Sequence, residues 1–188
     1  MDDTLTLPFL AGLQRTGIRP GLTRMRRLLT RLGHPERRFP SVLISGTNGK
    51  GSTAAFLEAV LRAAGHRTGL FTSPHLVDVR ERVRVAGECV PPDRFAAYGG
   101  EIRDAMGAGR QAVRATYFEA LTALGFLAFA REGVDVAVVE VGMGGRLDST
   151  NVLDPAVSVL TNVSLDLERF LWHSVEQIAS EKVGVARK

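Results

Sequence analysis

Apolar positions follow two different spacings along this chain. Between residues 21 and 33 they recur every three to four positions with arginines between them, which predicts an amphipathic helix. Shorter, unbroken apolar runs are typical of strands that are buried on both faces. These runs predict strands at 41–45, 68–72, 135–139 and 156–160.

Further helices are expected between the strands. They cover residues 52–64, 92–106, 116–131 and 174–182, and Gly65 is expected to cap the first of them. Residues 81–90 alternate around a glycine turn and predict a small hairpin, while 107–111 predict a loop. Because strands alternate with helices, we expect an α/β fold with a doubly wound, mostly parallel sheet. No repeat or linker divides the chain, so residues 1–188 are predicted to form one domain.

The composition adds expectations about the setting of the protein. Of 188 residues, 45% are hydrophobic and 23% charged, which is typical of a soluble globular protein. No apolar run reaches the roughly 20 residues of a membrane span, and the acidic start lacks a secretory pattern. Cys89 is the only cysteine, which excludes an intrachain disulfide and a cysteine metal cage. We therefore expect a cytoplasmic protein that does not contact membranes.

A positive net charge of +4 raises the question of nucleic acid. The basic residues are dispersed except in segment 24–38, where they coincide with the predicted helix. A solvated helix face explains that cluster, and phosphate-bearing small molecules explain the overall excess. We therefore expect small-molecule ligands, no nucleic acid and a monomer.

A glycine-rich turn, GTNGKGS, joins the strand at 41–45 to the following helix. This order is typical of a phosphate cradle, in which backbone N–H groups and a helix N-terminus face the phosphates. The lysine would contact the outer phosphates, and Ser52 or Thr53 would offer a hydroxyl to Mg²⁺. The predicted ATP-binding residues are Gly46, Thr47, Asn48, Gly49, Lys50, Gly51, Ser52 and Thr53.

The loop departs from the strict G-x-x-x-x-G-K-[ST] pattern. Ile44 stands where the first glycine belongs, and Gly51 separates Lys50 from Ser52. A glycine turn without chemistry is the alternative. Its position between a buried strand and an unbroken helix favours phosphate binding.

Five motifs resemble one enzyme family. GTNGKGS is followed in order by FTSPHL at 71–76, TYFE at 116–119, EVGMGGRLDSTN at 140–151 and SEKVGV at 180–185. Together they resemble the folylpolyglutamate synthase/dihydrofolate synthase family of the Mur ligase superfamily. The resemblance implies a P-loop NTPase-like Mur ligase central domain. It also implies ATP-dependent ligation of L-glutamate to a folate or dihydropteroate carboxylate through an acyl phosphate, with ATP and Mg²⁺.

The resemblance also implies roles for individual residues. The implied catalytic residues are Lys50, Glu140 and Lys182, and the implied metal ligands are Ser52, Ser73 and Glu140. The implied substrate-binding residues are Phe71, Thr72, Ser73, Pro74, His75, Glu119, Gly145, Arg146 and Asp148.

Less specific interpretations stay open for several of these residues. Glu140 could be an ordinary carboxylate at a strand end, Ser73 a turn residue, and His75 a capping or hydrogen-bonding group. Arg146 and Asp148 could form a local ion pair that shapes the 140–151 loop.

Two further charged residues, Glu119 and Lys182, need an explanation if the chain resembles this family. Glu119 lies in an apolar helix, so we expect it to pair with Lys50, Arg146 or a bound ligand. Lys182 corresponds to a carbamylated lysine of the family, and the alternative is a surface lysine near a helix end.

The sequence departs from the family pattern at two positions. The family has a metal-binding histidine where this chain has Leu167, and Trp172 replaces a glycine, while His173 is the nearest substitute ligand. We expect at most one Mg²⁺, near Ser52, Ser73 and Glu140, and an unmodified Lys182.

The sequence ends at Lys188, before the second α/β domain of the family. We therefore expect no glutamate ligation by these residues alone. The alternatives are a nucleotide-binding pseudoenzyme and another Mur-type amide ligase that acts on a cell-wall precursor. The choice between dihydropteroate and tetrahydrofolate stays open.

Overall fold

The computed structural model describes residues 8–164 and 174–186, which build one central sheet. Its strands are β1 (Ser41–Ser45), β2 (Thr68–Phe71), β3 (Val83–Val85), β4 (Glu88–Cys89), β5 (Val136–Glu140) and β6 (Val157–Leu160). In space they follow the order β4-β3-β2-β5-β1-β6. The four strands β2, β5, β1 and β6 run parallel, and the β3–β4 hairpin adds two antiparallel strands at one edge. This confirms the predicted mostly parallel α/β fold and the hairpin.

Helices cover both faces of the sheet. They are α1 (Pro8–Leu13), α2 (Thr23–Arg31), α3 (Lys50–Ala63), α4 (Pro92–Met106), α5 (Tyr117–Glu132) and α6 (Val175–Val183). Alternate strand residues point to opposite faces, as the pleat requires. Ile44, Leu70 and Val138 pack with α3 on one face, and Leu43 and its neighbours form the larger core on the other.

Helix α5 is the apolar centre of that larger core. From Glu119 to Phe129 its residues are buried without interruption, which is the long buried helix that the sequence predicts. Its start is fixed by a capping box, in which Thr116 and Glu119 exchange side-chain and backbone hydrogen bonds. Gly133, in the left-handed conformation, ends it.

Two features differ from the sequence-based expectation. Helix α3 begins at Lys50, because Gly49 adopts a left-handed conformation at its N-cap and lets the helix start inside the loop. Helix α1 was not predicted, although its Leu10 is completely buried. Among the described residues, no helix combines the length and apolar character that a bilayer crossing requires.

Candidate active site

Four parallel strands end at the same edge of the sheet and bring the predicted site residues together. Ser73 follows β2, Glu140 ends β5, Gly46 follows β1 and Asn162 follows β6. In the sheet register Ile44 lies beside Glu140, so the phosphate loop starts next to this carboxylate. Ligands bind at this edge in open α/β sheets.

The phosphate loop wraps around the start of α3. Gly46 has a φ of 144°, and a Cβ there would overlap the Thr161 side chain, so only glycine fits. The backbone N–H of Asn48 donates to Asn162 Oδ1 over 2.9 Å. Thr47 exchanges hydrogen bonds with the Ser164 backbone through its hydroxyl. The segment after β6 therefore holds the loop in shape, a contribution that the sequence analysis missed.

Lys50 closes the phosphate loop through its side chain. Its Nζ donates to the carbonyl oxygens of Gly46 and Thr47, each over 3.0 Å. These carbonyls are weak partners for a full positive charge. A phosphate oxygen at the loop would be a stronger, charge-assisted acceptor.

Glu140 is a buried carboxylate that faces the phosphate loop. Its Oε2 accepts the Ser73 backbone N–H over 2.9 Å. A Cβ on Gly51 would lie 3.5 and 3.6 Å from its two oxygens, so glycine leaves room for the carboxylate beside α3. Burial raises the pKa of the Glu140 carboxyl, although the Ser73 N–H and the charges of Lys50 and Arg82 oppose this.

These residues fit a magnesium ion that is shared with phosphates. Among the described residues, no three His, Cys, Asp or Glu side chains cluster as a metal site of their own. Magnesium needs only one or two protein oxygens when phosphates and water complete its octahedron. Glu140, with the hydroxyls of Ser52 and Ser73, would supply such a set at the loop.

A cavity of about 480 Å³ opens beside this edge. Its walls include five of the predicted substrate residues, namely Ser73, Pro74, Glu119, Arg146 and Asp148. Residues 17–21, Arg82 and Glu181, to which the sequence analysis gave no role, complete it together with residues 142–144 of the 140–151 loop. The connection between α1 and α2 carries no motif, so only the fold reveals it as a wall.

Four of the predicted substrate residues lie outside the walls of this cavity, namely Phe71, Thr72, His75 and Gly145. Phe71 is completely buried beside Phe118 and belongs to the core, so the structure does not bring its side chain to the cavity. The Thr72 N–H donates to the Arg82 carbonyl oxygen over 3.2 Å. His75 Nδ1 accepts a hydrogen bond from Arg82 Nε over 2.7 Å, which agrees with its hydrogen-bonding alternative.

Glu119 pairs with a residue that the sequence analysis did not consider. Its Oε2 accepts from Arg24 Nε over 3.1 Å and from the Thr116 backbone N–H over 2.7 Å. The expected partners Lys50 and Arg146 are wrong, because each is held elsewhere. Glu119 Oε1 is buried without a hydrogen-bond partner among the described residues and borders the cavity.

The 140–151 loop is fastened to α6. Arg146 pairs with Glu181 over 3.1 Å, so the alternative of an Arg146–Asp148 ion pair is wrong. Asp148 instead accepts the N–H groups of Met143 and Thr150, each over 2.9 Å, while burial raises the pKa of its carboxyl. A Cβ on Gly145 would overlap the α6 backbone, so glycine permits this close contact.

Lys182 is buried beneath the phosphate loop, at 2% exposure. Its Nζ donates to the Gly46 carbonyl oxygen over 3.0 Å. The alternative of a surface lysine is therefore wrong. Leu167, Trp172 and His173 lie outside the described residues.

Fold and site together define a phosphate-loop α/β domain with a ligand cavity beside the loop. Residues 44–187 match the Mur ligase middle domain, and the chain belongs to this family. It is 39% identical to the dihydrofolate synthase/folylpolyglutamate synthase of Bacillus subtilis over 96% of its own length, and 40% identical to that of Escherichia coli. These relatives confirm the resemblance drawn from the motifs. The chain spans 43% of the Bacillus subtilis protein and 42% of the Escherichia coli one.

Solved structures show the same fold. E. coli FolC in complex with DHPP and ADP has a TM-score of 0.88 at 40% identity over 96% of this chain and 43% of that one. The apo form of L. casei FPGS has a TM-score of 0.92 at 38% identity over 100% of this chain and 47% of that one. A bifunctional folylpolyglutamate synthase/dihydrofolate synthase with Mn, AMPPNP and L-glutamate bound has a TM-score of 0.87 at 36% identity, over 96% of this chain and 43% of that one.

Proposed function

We propose that this chain is the ATP-binding part of a ligase that joins L-glutamate to the carboxylate of a folate or dihydropteroate. One observation carries the proposal, namely the double role of Ser73. The Ser73 N–H donates to Glu140 at the phosphate loop, and Ser73 also lines the 480 Å³ cavity. A carboxylate in that cavity would meet the terminal phosphoryl group of a nucleotide in the loop.

The proposed chemistry has two steps. An oxygen of the acceptor carboxylate attacks the terminal phosphorus of ATP, and ADP leaves with the electron pair of the broken P–O bond. The amino nitrogen of glutamate then attacks the acyl carbon, phosphate leaves with its electron pair, and the nitrogen loses a proton to water. Magnesium, when bound, neutralises phosphate charge. Lys50 and the loop N–H groups hold the phosphates, and Glu140 with Ser52 and Ser73 would hold the metal.

Lys182 adds positive charge beneath the loop in this proposal. Its amine donates to the Gly46 carbonyl oxygen, and a carbamate in the same place would set an anion against that oxygen. We therefore favour the unmodified amine. Carbon-13 NMR with labelled bicarbonate would show a carbamate resonance if this inference is wrong.

We further infer a cytoplasmic monomer that acts on small molecules. The basic cluster at 24–38 is partly engaged by the protein itself, which leaves less charge for nucleic acid. Arg24 pairs with Glu119, and Arg31 donates to the carbonyl oxygens of Ala105 and Met106 over 2.9 and 3.0 Å.

Phosphate release with ATP, glutamate and either dihydropteroate or tetrahydrofolate tests the function. The chain should be assayed alone and joined to the C-terminal part of the Bacillus subtilis relative. Release that requires both glutamate and a folate-type acid supports the ligase. Nucleotide binding without any folate-dependent release would instead support the nucleotide-binding pseudoenzyme.

A further inference from the structure

Arg82 lies at the junction between the cavity and the phosphate loop. It ends a short turn of helix, Val79–Arg82, directly before β3, and its side chain lines the cavity beside Ser73. Its guanidinium is half-buried, and the Tyr117 ring lies 5.7 Å from its Cζ. The sequence analysis gave this residue no role.

The terminal nitrogens of Arg82 are available to a ligand. Its Nε donates to His75 Nδ1 over 2.7 Å, which fixes the plane of the guanidinium. Within the described part of the chain, neither terminal nitrogen has a hydrogen-bond acceptor, and no carboxylate forms an ion pair with this side chain. Other arginines do form such pairs, among them Arg24, Arg62, Arg80, Arg94 and Arg146.

Such an arginine attracts an anion. A partly desolvated cation without a counter-charge is costly, and an anion on its free edge relieves that cost. A guanidinium offers two parallel N–H groups, which match the two oxygens of a carboxylate. Arg82 and Ser73 both line the cavity, and the Ser73 N–H donates to Glu140 at the phosphate loop, so the anion would lie between the cavity and this loop.

We propose that Arg82 binds the carboxylate of the acceptor substrate at the phosphate-loop end of the cavity, and that His75 positions its guanidinium. This inference rests on the proposed function and deepens it. It sets the orientation of the substrate, with the carboxylate towards the loop. The heterocyclic end would then extend along the cavity towards its other walls.

A binding cycle with two ligands tests this role. The methyl ester of dihydropteroate lacks the negative charge of the acid and carries one additional methyl group. Their affinities are measured by calorimetry for the wild-type chain, Arg82→Ala, Arg82→Lys and the control Arg84→Ala. Arg84 lies two residues further along the chain and does not line the cavity.

The wild-type chain should bind the acid more tightly than the ester. In Arg82→Ala, acid affinity should fall roughly 10- to 100-fold while ester affinity changes little, because only the acid loses charged hydrogen bonds. Arg82→Lys should retain part of the preference, since it keeps the charge and loses the two-pronged geometry. Arg84→Ala should keep the wild-type ratio.

His75→Ala tests the positioning role. It should lower the acid-to-ester ratio to a value between wild type and Arg82→Ala. A residue that merely shapes the loop would reduce both affinities together and leave the ratio unchanged, which would contradict the role of His75.

Measuring the ATP affinity of the same preparations distinguishes an error in the Arg82 assignment from an error in the proposed function. If Arg82→Ala binds both pterin ligands as the wild-type chain does, or loses both equally, the assignment of Arg82 is wrong and the proposed function stands. Weaker ATP binding with an unchanged acid-to-ester ratio would make Arg82 a nucleotide contact and also overturn the assignment. A wild-type chain that binds neither pterin ligand nor ATP would overturn the proposed function as well.

Discussion

Replacing Lys50 by methionine keeps the length of the side chain and removes its charge. In the structure the Lys50 ammonium makes two 3.0 Å hydrogen bonds to loop carbonyl oxygens. Binding of ATP would exchange these for bonds to phosphate oxygens. Hydrogen bonds to charged groups contribute about 1.5–3 kcal/mol each.

Because the carbonyl bonds must be given up, the net loss should lie near the lower end of this range. We expect ATP affinity to fall by about 1.5–2 kcal/mol, or roughly 10- to 30-fold. Titration calorimetry at constant Mg²⁺ should show a large loss for ATP and little change for AMP, which lacks the outer phosphates. Arg27→Met is the matched control, since it removes one exposed positive charge from α2. Equal ATP affinity of Lys50→Met and wild type would refute the phosphate-loop assignment.

Three further predictions concern stability. Gly69→Ala should lower the free energy of unfolding, measured in urea, by about 1–3 kcal/mol, because the new Cβ would lie 2.8 Å from a phenylalanine ring of α5. Gly100→Ala is the matched control, since a Cβ there has no neighbour within 4 Å. It should raise the free energy of unfolding by about 0.5–1 kcal/mol. Arg24→Met should cost about 1–3 kcal/mol, because Glu119 then stays buried without its cation, and adding Glu119→Gln should recover part of the loss in the same assay. Burial raises the pKa of Tyr98 from 10.0 to about 12. The contribution of Tyr98 to the free energy of unfolding is therefore complete below pH 10 and is lost as the pH rises through 12. In Tyr98→Phe, the free energy of unfolding should not show this alkaline decrease. Similar effects of the two glycine substitutions would contradict the packing explanation. An Arg24/Glu119 double variant without recovery would contradict the ion-pair explanation, and an unchanged alkaline decrease in Tyr98→Phe would contradict the pKa explanation.

Local signals in the sequence were sufficient for the sheet and the phosphate loop. The strand predicted at 41–45 is found as β1, and the glycine loop leads directly into α3 as predicted. Apolar runs and glycine-lysine spacing report the backbone in their immediate neighbourhood. Glu140 and Ser73 could also be placed, because parallel strands end at one edge of a sheet.

Long-range pairings could not be predicted in this way. Arg24 and Glu119 are 95 residues apart in the chain, and no spacing rule joins them. Arg82 shows no motif, and its importance becomes visible only when its free edge is seen to face the cavity. Burial of Lys182 likewise depends on how α6 packs beneath the phosphate loop, which a single helix pattern does not reveal.

Transfer of oxygen from the acceptor to phosphate tests the central claim most directly. The acceptor carboxylate would be labelled with oxygen-18, and the chain would be joined to the C-terminal part of the Bacillus subtilis relative. An acyl phosphate requires that one carboxylate oxygen leaves with the phosphate. Mass spectrometry should therefore find one oxygen-18 in each phosphate released during glutamate ligation. Ligation that releases only unlabelled phosphate would contradict the account.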